Sequence, residues 1–574
     1  MPQQRRKLAF SGKKKKDQIL QKRCAKGHSK YLRSNQESNE DSDAPEKRVD
    51  HKLMEQPVTR GGRNKNLNRY NLQFIHESKK DIEEMKQEGF SLLEIITPTQ
   101  REIDARYFEN YDFPVRPPWT FDQSKEQLDR NEHRYFKEYV DDLLQKQRSN
   151  LKEHSIFELN LETWRQLWRV LEFSDILLIV VDVRYASLMF PPSLYDYIIH
   201  TLKKHAIVIF NKVDLVAAEA VVAWRHYFKE HYPELPVVLF ASYLVRSQKG
   251  VQRSRYQRAH RQSMDGVHNI YRECQNIVQS DVDLSAWQQK IRDDMSTDQF
   301  DVEDAITKSQ AEGELKIINA TETTPHQHVK YNNGVLTIGC LGFPNVGKSS
   351  LINALKGRKV VSVSRTPGHT KHFQTIFLVQ NVRVCDCPGL VFPSSTPKSL
   401  QVLLGSFPIS QLQVPYRSLK LLAEHVSLPQ LLRLHLPEEY DEWSAVAVAD
   451  AWAYKRGFLT AKAARPDRYR AANHILRMCL SGQQQLIFQF YPPGYDDSRN
   501  SWSQHSDVAE VKKYQQVYNY EPDSETNEDT SSICSDSGDS CDEDSSNDET
   551  NADDDECDDQ ILRSRNAFRL LEDN

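Results

Sequence analysis

Apolar residues first recur at helical spacing at Leu161, Trp164, Leu167, Trp168 and Leu171, which predicts a helix with one buried face. Ile176 to Val181 is then a continuous apolar run of strand length, closed by Asp182. A helix ending at His200 to Lys204 leads to a second such run, Ala206 to Phe210, a helix over Glu219 to Glu230 and a third strand, Val237 to Phe240. Strands that are apolar along their whole length and alternate with helices predict a mostly parallel sheet with helices on both faces, an α/β fold. From about Leu244 to Asn333 the periodicity fades, and the stretch is expected to be a large insertion, partly helical near Ser285 to Ile291. The pattern resumes with a strand at Val335 to Leu341, a helix, and two strands at Phe373 to Val379 and Val382 to Cys385. After about Ser395 it becomes helical, over Leu419 to Val426, Leu428 to Leu434, Ser444 to Arg456 and Arg468 to Leu480, with Gly457 as a helix stop. Upstream, Tyr70 to Gln147 is charged and helical, interrupted at Phe113 to Trp119, where three prolines force an extended connector.

Charge adds two segments to this picture. The net charge of −5 over 574 residues averages a head and a tail of opposite sign. Met1 to Arg33 carries twelve Lys and Arg against one acid, whereas Glu521 to Asp559 carries eighteen Asp and Glu and neither base. Without them the body is close to neutral. Such blocks are normally disordered interaction segments, and the head suits a nucleic-acid contact or the nuclear-import machinery. The expected organisation is therefore a basic disordered head (1–66), a charged helical region (67–160), an α/β domain (164–393, insertion about 244–333), a helical domain (395–500) and an acidic disordered tail (501–574). No apolar run approaches the ~18 residues of a membrane span, and nine scattered cysteines exclude a disulfide framework.

The chemistry lies at the strand ends. Gly342-Phe343-Pro344-Asn345-Val346-Gly347-Lys348-Ser349 matches the phosphate-loop pattern, follows an apolar strand and opens a helix. Its backbone N–H groups would close around phosphate oxygens, with Lys348 on the β- and γ-phosphates and the Ser349 hydroxyl on Mg²⁺. Asp386-Cys387-Pro388-Gly389 ends a later strand, placing Asp386 to hold Mg²⁺ and the Gly389 N–H to meet the γ-phosphate. In the polar loop between them, Thr370 is the first choice for the hydroxyl that senses Mg²⁺ and γ-phosphate, and Thr366 the second. Asn211-Lys212-Val213-Asp214 follows the second strand. A carboxylate at Asp214 accepts both N1–H and N2–H₂ of guanine, Lys212 would pack on the base, and Asn211 would brace the loops, which selects GTP over ATP. Ala241-Ser242 would offer a backbone N–H to guanine O6. Guanine recognition precedes the phosphate loop by about 130 residues, yet ligands of such sheets sit at the strands' C-terminal ends whatever the chain order, so a circular permutation preserves the site.

The order NKxD, GxPNVGKS, PGxT and DxPG resembles the circularly permuted GTPase family involved in ribosome assembly, and the likeness extends to Glu162–Leu171 and Arg116–Trp119. The resemblance implies a circularly permuted P-loop GTPase domain with GTP and GDP as ligands, a partner in a pre-ribosomal particle or rRNA, and a nuclear or nucleolar location with cytoplasmic shuttling. Leu390 stands where many GTPases place a water-orienting Gln, so slow intrinsic hydrolysis is expected, on the order of 10⁻⁴ s⁻¹ or below. Asn345 resembles the asparagine of potassium-activated GTPases; binding K⁺ and merely stabilising the loop stay open as its roles. Lys455, Arg456, Lys462, Arg465, Arg468, Arg470 and Arg477 form either an rRNA surface or a solvated helix face, with Trp452, Tyr454 and Tyr469 expected in the core. Cys340, Cys385 and Cys387 are expected in the core rather than on zinc. A nucleotide-stabilised scaffold with negligible turnover and a signalling GTPase without an RNA role are the competing readings.

Overall fold

The structure, a computed structural model, describes residues 53–55, 73–75, 79–120, 122–150, 155–242, 253–296, 329–363, 374–460, 465–483 and 486–515. The basic head, the acidic run, Lys462 and the loop with Thr366 and Thr370 lie outside them. Apart from a short antiparallel pair, Leu53–Glu55 with Gln73–Ile75, the strands form one sheet. Its members are β1 (Ile176–Asp182), β2 (His205–Asn211), β3 (Val237–Leu239), β4 (Leu336–Leu341), β5 (Gln374–Val379) and β6 (Val382–Asp386), in spatial order β3-β2-β1-β4-β6-β5. All neighbours are parallel except the edge pair β5–β6. Every residue of β1 and β4 is buried, so both sheet faces are covered, as their predominantly apolar sequences require.

The covering helices include α1 (Leu161–Phe173), α2 (Ala218–His231), α3 (Arg253–Val278), α4 (Ser285–Ser296) and α5 (Lys348–Lys356). Helix α4 lies where helix was expected, near Ser285 to Ile291, whereas α3 and the packing of both helices correct the expectation of an insertion. Met264, Val267, Ile270, Tyr271, Cys274 and Val278 line one buried face of α3, which packs on β3 and α5. Helix α4 adds Trp287, wholly buried and edge-on to Tyr271 at 5.4 Å. This part of the stretch completes the α/β domain.

The N-terminal region docks on α1 through the proline connector. Phe113 is buried edge-on against Tyr197 and Phe392, and the indole of Trp168 donates to the Pro114 carbonyl at 2.7 Å. Arg116 bridges Glu132 and Glu172 at 3.0 and 2.8 Å, while the buried Arg165 takes the other oxygen of Glu132 at 2.7 Å. Each guanidinium thus leaves water with a carboxylate already in place, the condition under which burying it is tolerable.

The C-terminal domain centres on α6 (Tyr416–His425), α7 (Ala445–Arg456) and α8 (Arg468–Ser481). Ser444 caps α7 at one end and Gly457, left-handed at φ +66°, ends it. Two of the expected surface cations are used internally: Lys455 donates to the Leu432 and Arg433 carbonyls, and Arg468 pairs with the fully buried Asp450 at 2.8 Å. Trp452 is core as expected, but Tyr454 and Tyr469 are exposed. The expected start of the acidic tail at 501 is also corrected, because α9 (Val508–Gln515) packs on α2, where Arg225 pairs with Glu510 at 2.9 Å, and buries Val511 and Tyr514. Among the described residues no helix is long and apolar enough to cross a membrane.

Two stability predictions follow from this packing. Trp287→Ala is expected to cost about 3–5 kcal/mol in urea unfolding, whereas a dispensable insertion would tolerate it. Burial among Phe488 and Phe490 pushes the His425 imidazole down to about 4, with Arg101 adding to the shift and the Leu421 carbonyl opposing it. The unfolded chain therefore binds a proton below about 6.5 that the folded chain refuses until about 4. Stability is fully present above that range and falls as pH drops through it, by up to roughly 3 kcal/mol; His425→Gln should flatten this part of the profile.

Candidate functional site

Parallel pairing brings the motifs to one edge. The register sets Asp182 opposite Asn211 and Cys340 opposite Asp386, so β1, β2, β4 and β6 end side by side. This is where an α/β sheet leaves backbone groups for a ligand.

The phosphate-loop sequence leaves β4 at Gly342 and enters α5 at Gly347, which is left-handed at φ +104°. Lys348 is buried inside the loop, its ammonium donating to the carbonyls of Gly342 and Phe343 at 3.0 and 2.7 Å. Burial lowers its pKa, and Asp386 acts in the opposite direction. Phe343 and Val346 are buried beneath the loop, and Phe343 lies 5.4 Å from the Phe392 ring. Gly389 approaches Pro344 and the Lys348 ammonium, which brings the Asp386–Gly389 turn against the loop. Asn345 adopts φ +58° and its amide donates to the Gly405 carbonyl at 2.9 Å.

The Ser349 hydroxyl lies 3.5 Å from Oδ2 of Asp386, and Oδ1 of that carboxylate is buried with no hydrogen-bond partner among the described residues. Burial pushes the Asp386 carboxyl up to about 6, against the pull of Lys348 and Ser349. An orphaned carboxylate oxygen beside a hydroxyl is a hard oxygen donor set, and it fits Mg²⁺. Cys387, just beyond β6, is buried like the strand residues Cys340 and Cys385, as expected of core thiols. Leu390 is also buried, its N–H directed at the Gly342 carbonyl.

The second half of the site is the turn after β2. The buried Asn211 donates its amide to the Val346 carbonyl at 2.6 Å, while its Oδ1 accepts from the Lys212 N–H at 2.8 Å and the Ser242 hydroxyl at 3.4 Å. One side chain thus joins the turn, the phosphate loop and the Ala241–Ser242 strand end. Lys212, left-handed at φ +63°, directs its ammonium to Asp182 at 2.7 Å. Burial pushes the half-buried Asp214 carboxyl up to about 6, with Lys212 pulling it down. The Val213 and Val216 carbonyls both accept from the Gln515 side chain.

Three contributors escaped sequence reasoning. Asp182 showed only as the polar end of an apolar strand, and Arg184, its partner, as one more base. Gln515 lies 302 residues from Val213 and carries no local signal.

A phosphate loop and an Asn-Lys-x-Asp turn, brought together by one sheet in reversed chain order, define a circularly permuted P-loop GTPase. Residues 337–408 match the family model of the 50S ribosome-binding GTPase. The chain is 44% identical to guanine nucleotide-binding protein-like 1 of Mus musculus over 79% of this chain and 77% of that protein, and 43% identical to the Homo sapiens protein over the same shares. It is 31% identical to the large subunit GTPase 1 homolog of Bos taurus, over 72% of each. The chain belongs to the guanine nucleotide-binding protein-like 1 family of GTP-binding GTPases.

Lys348→Ala removes the cation around which the loop is closed. It is expected to weaken binding of a fluorescent GTP analogue by at least about 100-fold; unchanged affinity would place the nucleotide elsewhere.

Proposed function

We propose that this chain hydrolyses GTP to GDP and phosphate as a slow molecular switch in ribosome assembly. The observation that carries the reading is the Asn211 amide bonded to the Val346 carbonyl, because it ties the Asn-Lys-x-Asp turn directly to the phosphate loop. In this reading Asp214 accepts from the guanine edge, Lys212 flanks the base, and Ala241 and Ser242 face O6. The N–H groups of Gly342 to Ser349 and Lys348 hold the phosphates, and Gly389 meets the γ-phosphate. Ser349 and Asp386 would hold Mg²⁺, with Thr370, or else Thr366, as a further candidate ligand. When bound, the ion would supply neutralisation of the phosphate charge. Leu390 has no group that could orient water and is packed into the core, which supports slow intrinsic turnover accelerated by a partner. The Asn345 amide nitrogen is engaged by Gly405, which leaves the carbonyl end as the group to face K⁺.

The ribosomal link draws on the matched model's description and the bovine relative's name, and on the exposed Arg465, Arg470 and Arg477 as contacts for rRNA phosphates. The basic head suits nuclear import, giving a nuclear or nucleolar protein that shuttles to the cytoplasm. Burial of Leu390 equally favours a second reading, a scaffold that holds nucleotide and barely turns it over. GTP turnover measured in KCl and in NaCl, with and without large-subunit precursor particles, separates the two. A switch should be slow alone and accelerated at least tenfold by the particle, further so in KCl; a rate unmoved by any particle or RNA favours the scaffold, and equal rates in the two salts remove the K⁺ role.

A further inference from the structure

Asp182 and Arg184 form a buried ion pair, in which Nε donates to Oδ1 at 3.0 Å and Nη2 to Oδ2 at 2.8 Å. Such a pair gains little stability over apolar residues of the same size, so what it does beyond pairing matters. Each member has a second partner. Oδ2 of Asp182 also accepts from the ammonium of Lys212, in the turn after β2. Arg184 donates through Nη1 to the Cys479 carbonyl at 3.1 Å and through Nη2 to the Leu480 carbonyl at 3.3 Å. Those carbonyls belong to the last turn of α8, where a cation is favoured; the Cys479 carbonyl also accepts from the N–H of the cap residue Gly482 at 3.2 Å. The result is a continuous chain of charge-assisted hydrogen bonds from Lys212 to the C-terminal helical domain.

The same end of α8 touches the site at two further places. Gly482 ends the helix at φ +66°, and a Cβ there would sit 3.0 Å from the Leu215 side chain, one residue beyond Asp214. Leu480 packs against Gly405, whose carbonyl takes the Asn345 amide of the phosphate loop. A shift of α8 relative to the sheet would therefore leave the Arg184 guanidinium without carbonyls, load Asp182 differently and displace both Lys212 and Leu215.

We propose that Asp182 and Arg184 are positioning residues that set the guanine-recognition turn according to the seating of α8, so that guanine affinity and docking of the C-terminal domain are coupled. The proposal rests on the assignment of Asn211 to Asp214 to the base. The coupling is reciprocal: a partner that moves the C-terminal helices changes nucleotide affinity, and bound nucleotide changes affinity for that partner by the same factor.

The test uses the full chain and measures GDP affinity together with the preference for GDP over IDP. IDP lacks the N2 amine, so the ratio reads the Asp214 turn and not the phosphate loop. Asp182→Asn keeps the shape and removes the charge, and Arg184→Lys cannot bridge Asp182 and α8 together. Each is expected to lower GDP affinity about tenfold and to shrink the GDP-over-IDP ratio. Gly482→Ala, placed in the other domain, adds a Cβ against Leu215 and also strains the backbone at φ +66°; it should lower the affinity and the ratio, and adding Leu215→Ala, which relieves the contact and not the strain, should restore the ratio to that of Leu215→Ala alone. Should the buried pair prove necessary for folding, the Gly482 and Leu215 variants still decide. A folded Gly482→Ala protein with unchanged GDP affinity and unchanged ratio overturns the coupling. A wild-type protein that does not prefer GDP over IDP, or an Asp214→Asn variant that keeps the preference, overturns the guanine assignment and this proposal with it.

Discussion

The site depends on one hydrogen bond, from the Asn211 amide to the Val346 carbonyl. Its two residues lie 135 positions apart, and no turn or helix holds them together. Parallel pairing of β2, β1 and β4 brings their strand ends to one edge, and the bond fixes the remaining distance. Because the amide is buried and its other end is satisfied by Lys212 and Ser242, the bond costs nothing in unpaired polar atoms. Permutation is tolerable for this reason: adjacency in the sheet, and not order in the chain, decides which loops meet.

Around that bond the polar groups are paired in series. Lys348 fills its own loop, Lys212 leans on Asp182, and Arg184 closes the series on the C-terminal domain. Asp386 stands apart, with a buried oxygen lacking a partner among the described residues. A buried carboxylate oxygen without a donor, set beside the Ser349 hydroxyl at the start of α5, marks a place prepared for something the chain does not supply.

The parts of the fold that were legible in the sequence are those written in continuous segments. Strands β1 and β2 hold unbroken apolar runs, Ile176 to Val181 and Ala206 to Phe210, β4 and β6 are mostly apolar, and the phosphate loop and the Asn-Lys-x-Asp turn are runs of eight and four residues. Helix α3 escaped notice because arginines, histidines and glutamines surround the positions from Met264 to Val278 that make its buried face. The basic surface of the helical domain was overcounted for a related reason. Asp450, which neutralises Arg468, sits 18 residues away on another helix, and the carbonyls that hold Lys455 have no sequence identity at all. Contacts made through the backbone or across hundreds of residues leave no local pattern to read.

The tie from Gln515 to the Val213 and Val216 carbonyls has a consequence in time. A ribosome adds roughly 5–20 residues per second, so the turn after β2 emerges about 15–60 s before the residue that secures it. Strand β2 and its turn must wait first for β4 and then for α9. A nascent chain therefore passes through most of its synthesis with an unfinished nucleotide pocket, which closes only as α9, the last helix among the described residues, is delivered.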